Sequence, residues 1–285
     1  MSGRLMKYEW RNLYKVECII LIVIAAFTLL GAVMLNMPVV RELFVGNVDA
    51  PETMITFFVM SFMGTVVMYI IALVGASFGS VIYQSIHFYK SMYSDEGYLT
   101  HTLPVSGHEL LVSKIIVNAA WTMIISVSIM TSVFILIVSF VHALTYDMTY
   151  GEIMSEIADI FSPYFDTFTF TELHYIIYFV FLLFGGPMVT ASTLFGAITL
   201  GQLAKKLKVL FGIIAYFAIS FAGSIISSVL QLVGMVINIG VSEFGGYSYE
   251  LEQFFSRDMS IIISIIISVA LYFASHSIIT KRLNL

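Results

Sequence analysis

The sequence predicts an all-α membrane protein with six transmembrane helices. Of its 285 residues, 59 % are hydrophobic and only 11 % are charged, whereas a soluble domain is about half apolar and about a quarter charged. Much of the apolar content lies in runs of roughly 20 residues, the length that a helix needs to cross the hydrocarbon of a bilayer. This composition excludes a soluble globular protein, a disordered chain and a nucleic-acid binder. Cys18 is the single cysteine, so an intrachain disulfide is excluded too.

Six apolar stretches are long enough to span a membrane, and residues 1–285 are expected to form one membrane domain. The first stretch is interpreted as a retained helix, because it is longer than a signal-peptide core and no small-residue cleavage site follows it. The predicted spans are residues 18–37, 55–80, 115–141, 175–200, 209–238 and 259–279.

The distribution of lysine and arginine predicts the orientation. All but two of the 13 basic residues, Arg41 and Arg257, lie in the tails and loops on one side. Because cytoplasmic loops carry an excess of lysine and arginine, both termini are predicted to face the cytoplasm. The segments 144–174 and 239–258 are then extracellular and acidic. We interpret their acidity as the result of retaining positive charge inside; a vestibule for cationic substrates is the alternative.

The N-terminal residues 2–17 have two distinct faces at helical spacing, so they are expected to form an amphipathic helix in the cytoplasmic headgroup layer. A basic flank that only sets the topology is the alternative. Leu5, Met6, Trp10, Leu13 and Tyr14 form the apolar face, and Arg4, Lys7, Arg11 and Lys15 form the basic face.

The cytoplasmic segment 81–114 carries strong turn and capping signals. Ser94 to Gly97 has the chemistry of a turn, and Pro104 disfavours a helical conformation at the residue before it. Ser106 and Glu109 have the spacing of a capping box. These signals predict a short helix or structured turn over residues 88–103 and a new helix that begins near Ser106. Loops of this length are usually functional or disordered, and the mixture of aromatic and capping residues here favours an ordered loop that binds a partner over a disordered one.

The predicted spans contain no Asp, Glu, Lys or Arg, which argues against a proton-coupled carrier or pump. The sequence also lacks a G-x-x-x-x-G-K-[ST] motif, so no ATP site is expected on this chain. His101 and His108 do not have metal-ligand spacing, and no metal or other cofactor is expected. An enzyme is therefore not the favoured interpretation.

One short motif admits a catalytic interpretation. Gly75 to Gly79 matches G-x-S-x-G, and an intramembrane serine protease using Ser77 with His142 or His174 is conceivable. The same residues match G-x-x-x-G, which allows close helix packing, and this second interpretation is favoured.

Two spans carry polar stripes, which indicate either helix packing through hydroxyl groups or a polar translocation path. A third feature, Gly185-Gly186-Pro187, interrupts the fourth span and indicates either a static kink or a hinge. The stripe of the fifth span consists of Ser220, Ser224, Ser227, Ser228, Gln231 and Asn238, and that of the sixth consists of Ser260, Ser264, Ser268, Tyr272 and His276.

Six spans, internal termini, an amphipathic N-terminal helix and a long structured second cytoplasmic segment resemble a permease of the ABC-2 exporter type. Residues 89–106, YKSMYSDEGYLTHTLPVS, are similar to the corresponding loop in such permeases of Gram-positive bacteria. The resemblance implies that this loop is a coupling helix that docks into a cleft on a separate ATPase subunit, which binds ATP and magnesium. It also implies a second permease chain, identical or homologous, in the bacterial cytoplasmic membrane, and re-entrant helices over residues 236–258. The long outer loop departs from the pattern of many members.

The implied function is that of an exporter subunit for an amphipathic peptide, a lipid or a hydrophobic drug. A channel or scramblase without a motor is the alternative. The residues expected to dock the ATPase are Phe88, Tyr89, Lys90, Tyr93, Asp95, Glu96, Gly97, Tyr98, Leu99, His101, Leu103 and Pro104, with His87, Tyr93 and Tyr98 as anchors.

Overall fold

The computed structural model describes residues 2–40, 52–94, 97, 105–145, 148–166, 170–243 and 258–281. These residues are predominantly helical and include no strand. The main helices are α1 (Ser2–Leu35), α2 (Glu52–Tyr93), α3 (Gly107–Leu144), α4 (Tyr150–Asp166), α5 (Phe170–Val180), α6 (Gly186–Gly201), α7 (Lys208–Glu243) and α8 (Met259–Lys281). A π-helical segment, Phe181–Gly185, joins α5 to α6.

The described chain contains six helical stretches that are long and apolar enough to cross a membrane, as the sequence predicts for a multi-pass membrane protein. The first three helices are longer than a bilayer requires. They have 34, 42 and 38 residues, or roughly 50–60 Å at 1.5 Å per residue. Their ends therefore extend beyond roughly 30 Å of hydrocarbon. The stretches are Gly3–Leu35, Ile55–Tyr93, Gly107–Leu144, Tyr175–Gly201, Lys208–Gly240 and Met259–Thr280.

The N-terminal segment differs from the sequence-based expectation. Residues 2–17 do not form a separate helix, because α1 runs without a break into the first apolar stretch. No glycine or proline lies between Gly3 and Gly31 to interrupt it. One buried stripe also continues through the expected junction: Glu9, Leu13, Glu17, Ile24, Thr28, Gly31 and Leu35.

The chain divides into two compact units. The first unit comprises residues 1–10, 84–119 and 185–285, and the second comprises residues 11–83 and 120–184. The division passes through α1, α2 and α3, because each of these long helices contributes one part to each unit. The ends of α2 and α3 that flank the segment 94–106 both belong to the first unit.

In the second unit, α1, α2 and α3 pack around Ile24, Ala76 and Ile125. Ser132 of α3 connects all three helices, because its hydroxyl lies 2.5 Å from Thr28 Oγ1 and 2.7 Å from Tyr69 Oη. Hydroxyl pairs of this kind join helices within a membrane, where the hydrophobic effect does not favour their association.

The long segment between the third and fourth apolar stretches is partly helical. Helix α4 begins with a capping box, in which the Thr149 backbone N–H donates to Glu152 Oε2 over 2.7 Å. Beside it, Tyr150 stacks on His142 with ring centroids 4.0 Å apart, and both side chains hydrogen-bond Asn36.

In the first unit, α6, α7 and α8 pack against one another. Two glycines allow close approach: an added Cβ at Gly196 would lie 2.7 Å from Leu271 Cβ, and one at Gly201 would lie 2.5 Å from the Gly212 backbone nitrogen. The ends of α2 and α3 join this group through an apolar core. That core consists of Phe88, Met92, Leu110, Leu111, Ile115, Ala119, Ala191, Phe195 and Ile279.

Candidate functional site

A buried ionic cluster joins α1, α2 and α3 within the first unit. Glu9 is 5 % exposed and Lys114 is 1 % exposed. Lys114 Nζ donates hydrogen bonds to Glu9 Oε1 and, over 2.8 Å, to Ser91 Oγ. The other oxygen of Glu9 lies 3.0 Å from His87 Nε2. Each buried charge thus has an oppositely charged or polar partner, as burial of ionised groups requires.

The burial of these ionisable residues was not predicted from the sequence. The predicted spans begin one residue after Glu17 and one residue after Lys114, so both charges were counted as flanking. In the structure Glu17 is also fully buried, and Ser80 Oγ in the second unit lies 2.9 Å and 3.1 Å from its two carboxylate oxygens. One feature of the sequence could have indicated that Glu9 and Glu17 are buried. They are spaced four residues to either side of Leu13, so the two carboxylates lie on the same face of the helix as an apolar side chain. Ionisable residues are therefore absent from the predicted spans but present in the helices that contain them, so their absence from the spans does not argue against proton coupling by the whole helices.

The predicted docking segment begins as the end of α2 rather than as a separate short helix. Phe88, Tyr89, Lys90 and Tyr93 all lie in the last two turns of α2, which ends at Tyr93. Lys90 is exposed and Tyr89 is half-buried. Phe88 is only 1 % exposed, so it packs inside the protein instead of offering a docking surface. Asp95, Glu96, Tyr98, Leu99, His101, Leu103 and Pro104 lie outside the described residues.

Gly97 is the one residue of the middle of this segment that the structure describes. It is buried, and its backbone N–H donates to the Ser94 carbonyl over 2.8 Å. An added Cβ would lie 2.6 Å from the Met92 carbonyl oxygen. The turn after α2 therefore requires glycine at this position, because no side chain fits against the last turn of the helix.

The start of α3 confirms the predicted capping box. The Glu109 backbone N–H donates to Ser106 Oγ over 3.2 Å, and the Ser106 backbone N–H donates to Glu109 Oε2 over 3.4 Å. The same turn contacts α8, because His108 Nδ1 hydrogen-bonds the Tyr272 hydroxyl. Gly107 lies where an added Cβ would be 3.5 Å from a methyl group of Ile279.

The end of α2 contacts α6 in a similar way. Phe88 stacks on Phe195 with ring centroids 3.8 Å apart and an interplanar angle of 4°. Tyr93 Oη lies 2.7 Å from Thr199 Oγ1. Both ends of the segment 94–106 are therefore fastened to the C-terminal helices, α2 to α6 and α3 to α8.

The two polar stripes meet in one pocket of about 400 Å³ between α6, α7 and α8. None of the described residues that line it carries a charge. Gln231 and Asn238 do not line it; Gln231 is exposed and Asn238 is buried. Ser268 instead lies at the α6–α8 contact, where its carbonyl accepts a hydrogen bond from Ser192. The hydroxyl groups of the lining belong to Thr193, Ser220, Ser224, Ser227, Ser228, Ser260 and Ser264.

Gly185, Gly186 and Pro187 lie where the π-helical segment gives way to α6. Gly185 has helical backbone angles, φ −76° and ψ −41°, and Pro187 lies in the first turn of α6. A proline is tolerated there because the first N–H groups of a helix have no intrahelical acceptor. One boundary between the two compact units falls between residues 184 and 185. The backbone is thus not unwound at this point, and the choice between kink and hinge stays open.

The G-x-S-x-G motif does not form a catalytic pair with the predicted histidine. Ser77 Oγ donates to the Leu73 carbonyl over 3.0 Å, whereas His142 bonds Asn36. The side chain of His174 is not among those described. The described residues do not show the favoured packing contact either, because none of their atoms outside the helix's own backbone lies within 4 Å of an added Cβ at Gly75 or Gly79. Among the described residues, no group of three or more His, Cys, Asp and Glu could hold a metal ion.

No known protein family, characterised protein or solved structure matches the chain.

Proposed function

We propose that this chain is the membrane subunit of an ATP-driven exporter of the ABC-2 type, in the bacterial cytoplasmic membrane with both termini in the cytoplasm. A separate ATPase docks on the segment between α2 and α3. One observation carries the proposal: both ends of this segment are fastened to α6 and α8, which line the hydroxyl-rich pocket. A movement imposed on the segment therefore reaches the pocket through direct contacts.

The ionic cluster supports this transmission because it holds three helix ends together. Breaking a buried ion pair by removal of one partner costs about 3–5 kcal/mol. The Glu9–Lys114 pair therefore opposes separation of the N-terminal part of α1 from α3. Ser91 connects the end of α2 to this pair, because its hydroxyl accepts a hydrogen bond from Lys114. Helix ends joined in this way move together, as a rigid-body shift requires.

The chain itself supplies no motor, since its sequence has no P-loop. ATP and magnesium would therefore bind to the partner ATPase. A second permease chain, identical or homologous, completes the pore. The pocket combines hydroxyl groups with Val189, Ile219, Ile263 and Ile267 and has no charge among its described lining residues. Such a lining suits an amphipathic peptide, a lipid or a hydrophobic drug, with Gly185–Pro187 as a hinge beside it.

The experiment that tests the proposal is affinity purification of the tagged chain, co-expressed with its neighbouring genes. Wild-type protein is expected to retain a soluble subunit that contains a P-loop. Leu99→Glu places a charge in the docking segment and is expected to abolish retention. The matched control is Ser155→Glu, which adds the same charge on exposed α4 and is expected to retain the subunit. Equal retention by both variants would overturn docking at this segment.

A scramblase without a motor is the second candidate, because a hydroxyl-lined pocket between apolar helices could pass a lipid headgroup. This alternative makes a different prediction for the purified chain alone in vesicles. A scramblase would exchange fluorescent phospholipid between leaflets without ATP, whereas an isolated exporter subunit is expected not to do so.

A further inference from the structure

The turn between α6 and α7 forms a second pocket of about 650 Å³ that lies apart from the serine pocket. Its lining combines apolar side chains with two lysines. It consists of Leu200, Leu203, Ala204, Lys205, Lys206, Phe211 and Ala215. We propose that this pocket binds the headgroup and upper acyl chain of an anionic phospholipid, independently of the transport function proposed above.

Among the residues that the structure describes, no acid neutralises the positive charge of this turn. Lys205, Lys206 and Lys208 are all exposed, and none has a carboxylate partner among the described residues. No Asp or Glu occurs in the sequence between Glu172 and Glu243. The lysines are thus free to contact a phosphate group, and juxtamembrane lysines attract anionic lipid with about 1 kcal/mol each.

The start of α7 adds to the positive potential. The first hydrogen bond of this helix runs from the Phe211 N–H to the Leu207 carbonyl over 3.0 Å. The N–H groups before it point out of the helix end, and the first turn has no acidic residue. The end of the helix dipole therefore favours an anion at the same place as the lysines.

The apolar part of the pocket distinguishes a lipid from a free anion. Phe211 is 51 % exposed and Leu203 is 45 % exposed, and both line the pocket beside the lysines. A phosphate ion would leave these surfaces in contact with water. An acyl chain covers them, and removal of apolar surface from water favours its binding. The juxtaposition of apolar and basic groups therefore indicates a phospholipid rather than a soluble phosphate.

The backbone holds the turn in a fixed shape. The Gln202, Leu203 and Ala204 N–H groups donate to carbonyls three residues earlier, over 3.1–3.2 Å. Leu207 adopts a left-handed conformation with φ 55°, and Gly201 lies against Gly212. The pocket is thus preorganised, which lowers the entropic cost of binding.

The test measures lipid retention by the full chain in mild detergent, using native mass spectrometry with added dioleoylphosphatidylglycerol or dioleoylphosphatidylcholine. Wild-type protein is expected to retain the anionic lipid in preference to the zwitterionic one. Lys205→Gln/Lys206→Gln is expected to weaken retention of the anionic lipid about 25-fold, or about fivefold per lysine. Lys90→Gln removes one charge from an exposed position near the end of α2, away from both the pocket and the basic face of α1, and is expected to leave the preference unchanged.

Two further variants separate folding from binding. Lys205→Arg/Lys206→Arg keeps the charge and is expected to keep the preference. Phe211→Ala keeps all three lysines and is expected to weaken retention of both lipids. A loss with Lys90→Gln equal to that with Lys205→Gln alone would overturn the proposal, because it would show a general effect of net charge. Displacement of the lipid by millimolar inorganic phosphate would also overturn it in favour of a phosphate site.

Discussion

Glu9 and Lys114 form the charge pair on which the ends of α1 and α3 depend. Either Glu9→Gln or Lys114→Gln leaves the other charge buried without its main partner, so each is expected to destabilise the protein by about 3 kcal/mol. Glu9→Gln/Lys114→Gln is expected to cost less than the sum of the two, because it leaves no unpaired charge. Thermal unfolding of the purified chain measures all three variants, and strictly additive losses would contradict the coupling.

Glu152 offers a test of the capping box at the start of α4. The backbone N–H and hydroxyl of Thr149 both donate to its carboxylate, and these bonds hold the pKa of Glu152 below its ordinary value. The capping contribution is therefore fully present above the pKa of the unfolded state and is lost as the pH falls through the lowered pKa. Thr149→Val is expected to raise the pKa of Glu152, as followed by NMR titration of its carboxyl carbon. An unchanged pKa would contradict this role for Thr149.

The sequence predicted the local contacts of single residues better than the distant ones. The Ser106–Glu109 capping box was predictable because both partners lie within one turn of chain. The burial of Glu9 was not, because it depends on His87 and Lys114, which are 78 and 105 residues away. From the sequence alone, a carboxylate near a terminus is expected to be exposed to solvent, because its distant partners are not known.

The close approach of α6 to α7 at Gly201 can be tested by substitution of this glycine. In Gly201→Ala the new methyl group would meet the Gly212 backbone at 2.5–2.6 Å. Backbone atoms cannot rotate away, so the helices must separate, and we expect a loss of at least about 1–3 kcal/mol. Gly75→Ala is the matched control, since no described atom outside the helix's own backbone lies within 4 Å of its added Cβ. Thermal unfolding compares the two, and an equal effect would show that the crossing is not close.

The existence of the six long helices was predictable, but their ends were not. Hydropathy marks the part of a helix that matches the hydrocarbon, whereas the helix continues until a cap, a glycine or a proline ends it. The second span was therefore predicted to end at residue 80, while α2 continues to Tyr93. The same reason explains why residues 2–17 were assigned to a separate helix.

The serine stripes show that residue spacing along one helix does not determine which face of a neighbouring helix it meets. Their spacing along α7 and α8 was visible in the sequence, and each stripe was open to two interpretations. The structure shows that Ser220 and Ser224 lie in the same pocket as Ser260 and Ser264. That meeting depends on the packing of α7 against α8, which spacing along one helix does not determine.

The orientation of the whole molecule is testable by cysteine labelling. In a Cys18→Ala background, a cysteine at Ser155 probes α4 and one at Lys206 probes the α6–α7 turn; both positions are exposed. The positive-inside pattern predicts that a membrane-impermeant maleimide labels Ser155→Cys on intact cells. Lys206→Cys is expected to react only after permeabilisation. Labelling of Lys206→Cys on intact cells would reverse the topology and place the docking segment outside.

The contact between the segment 94–106 and a motor is the central claim for the assembled molecule. The most direct measurement places the photocrosslinker p-benzoylphenylalanine at Tyr98 in living cells, with the same probe at Ile160 on α4, which is 64 % exposed, as the control. We predict that Tyr98 crosslinks to a soluble protein with a P-loop and that Ile160 does not. A Tyr98 probe that yields no such adduct in cells where the chain is correctly inserted would show that no motor docks at this segment.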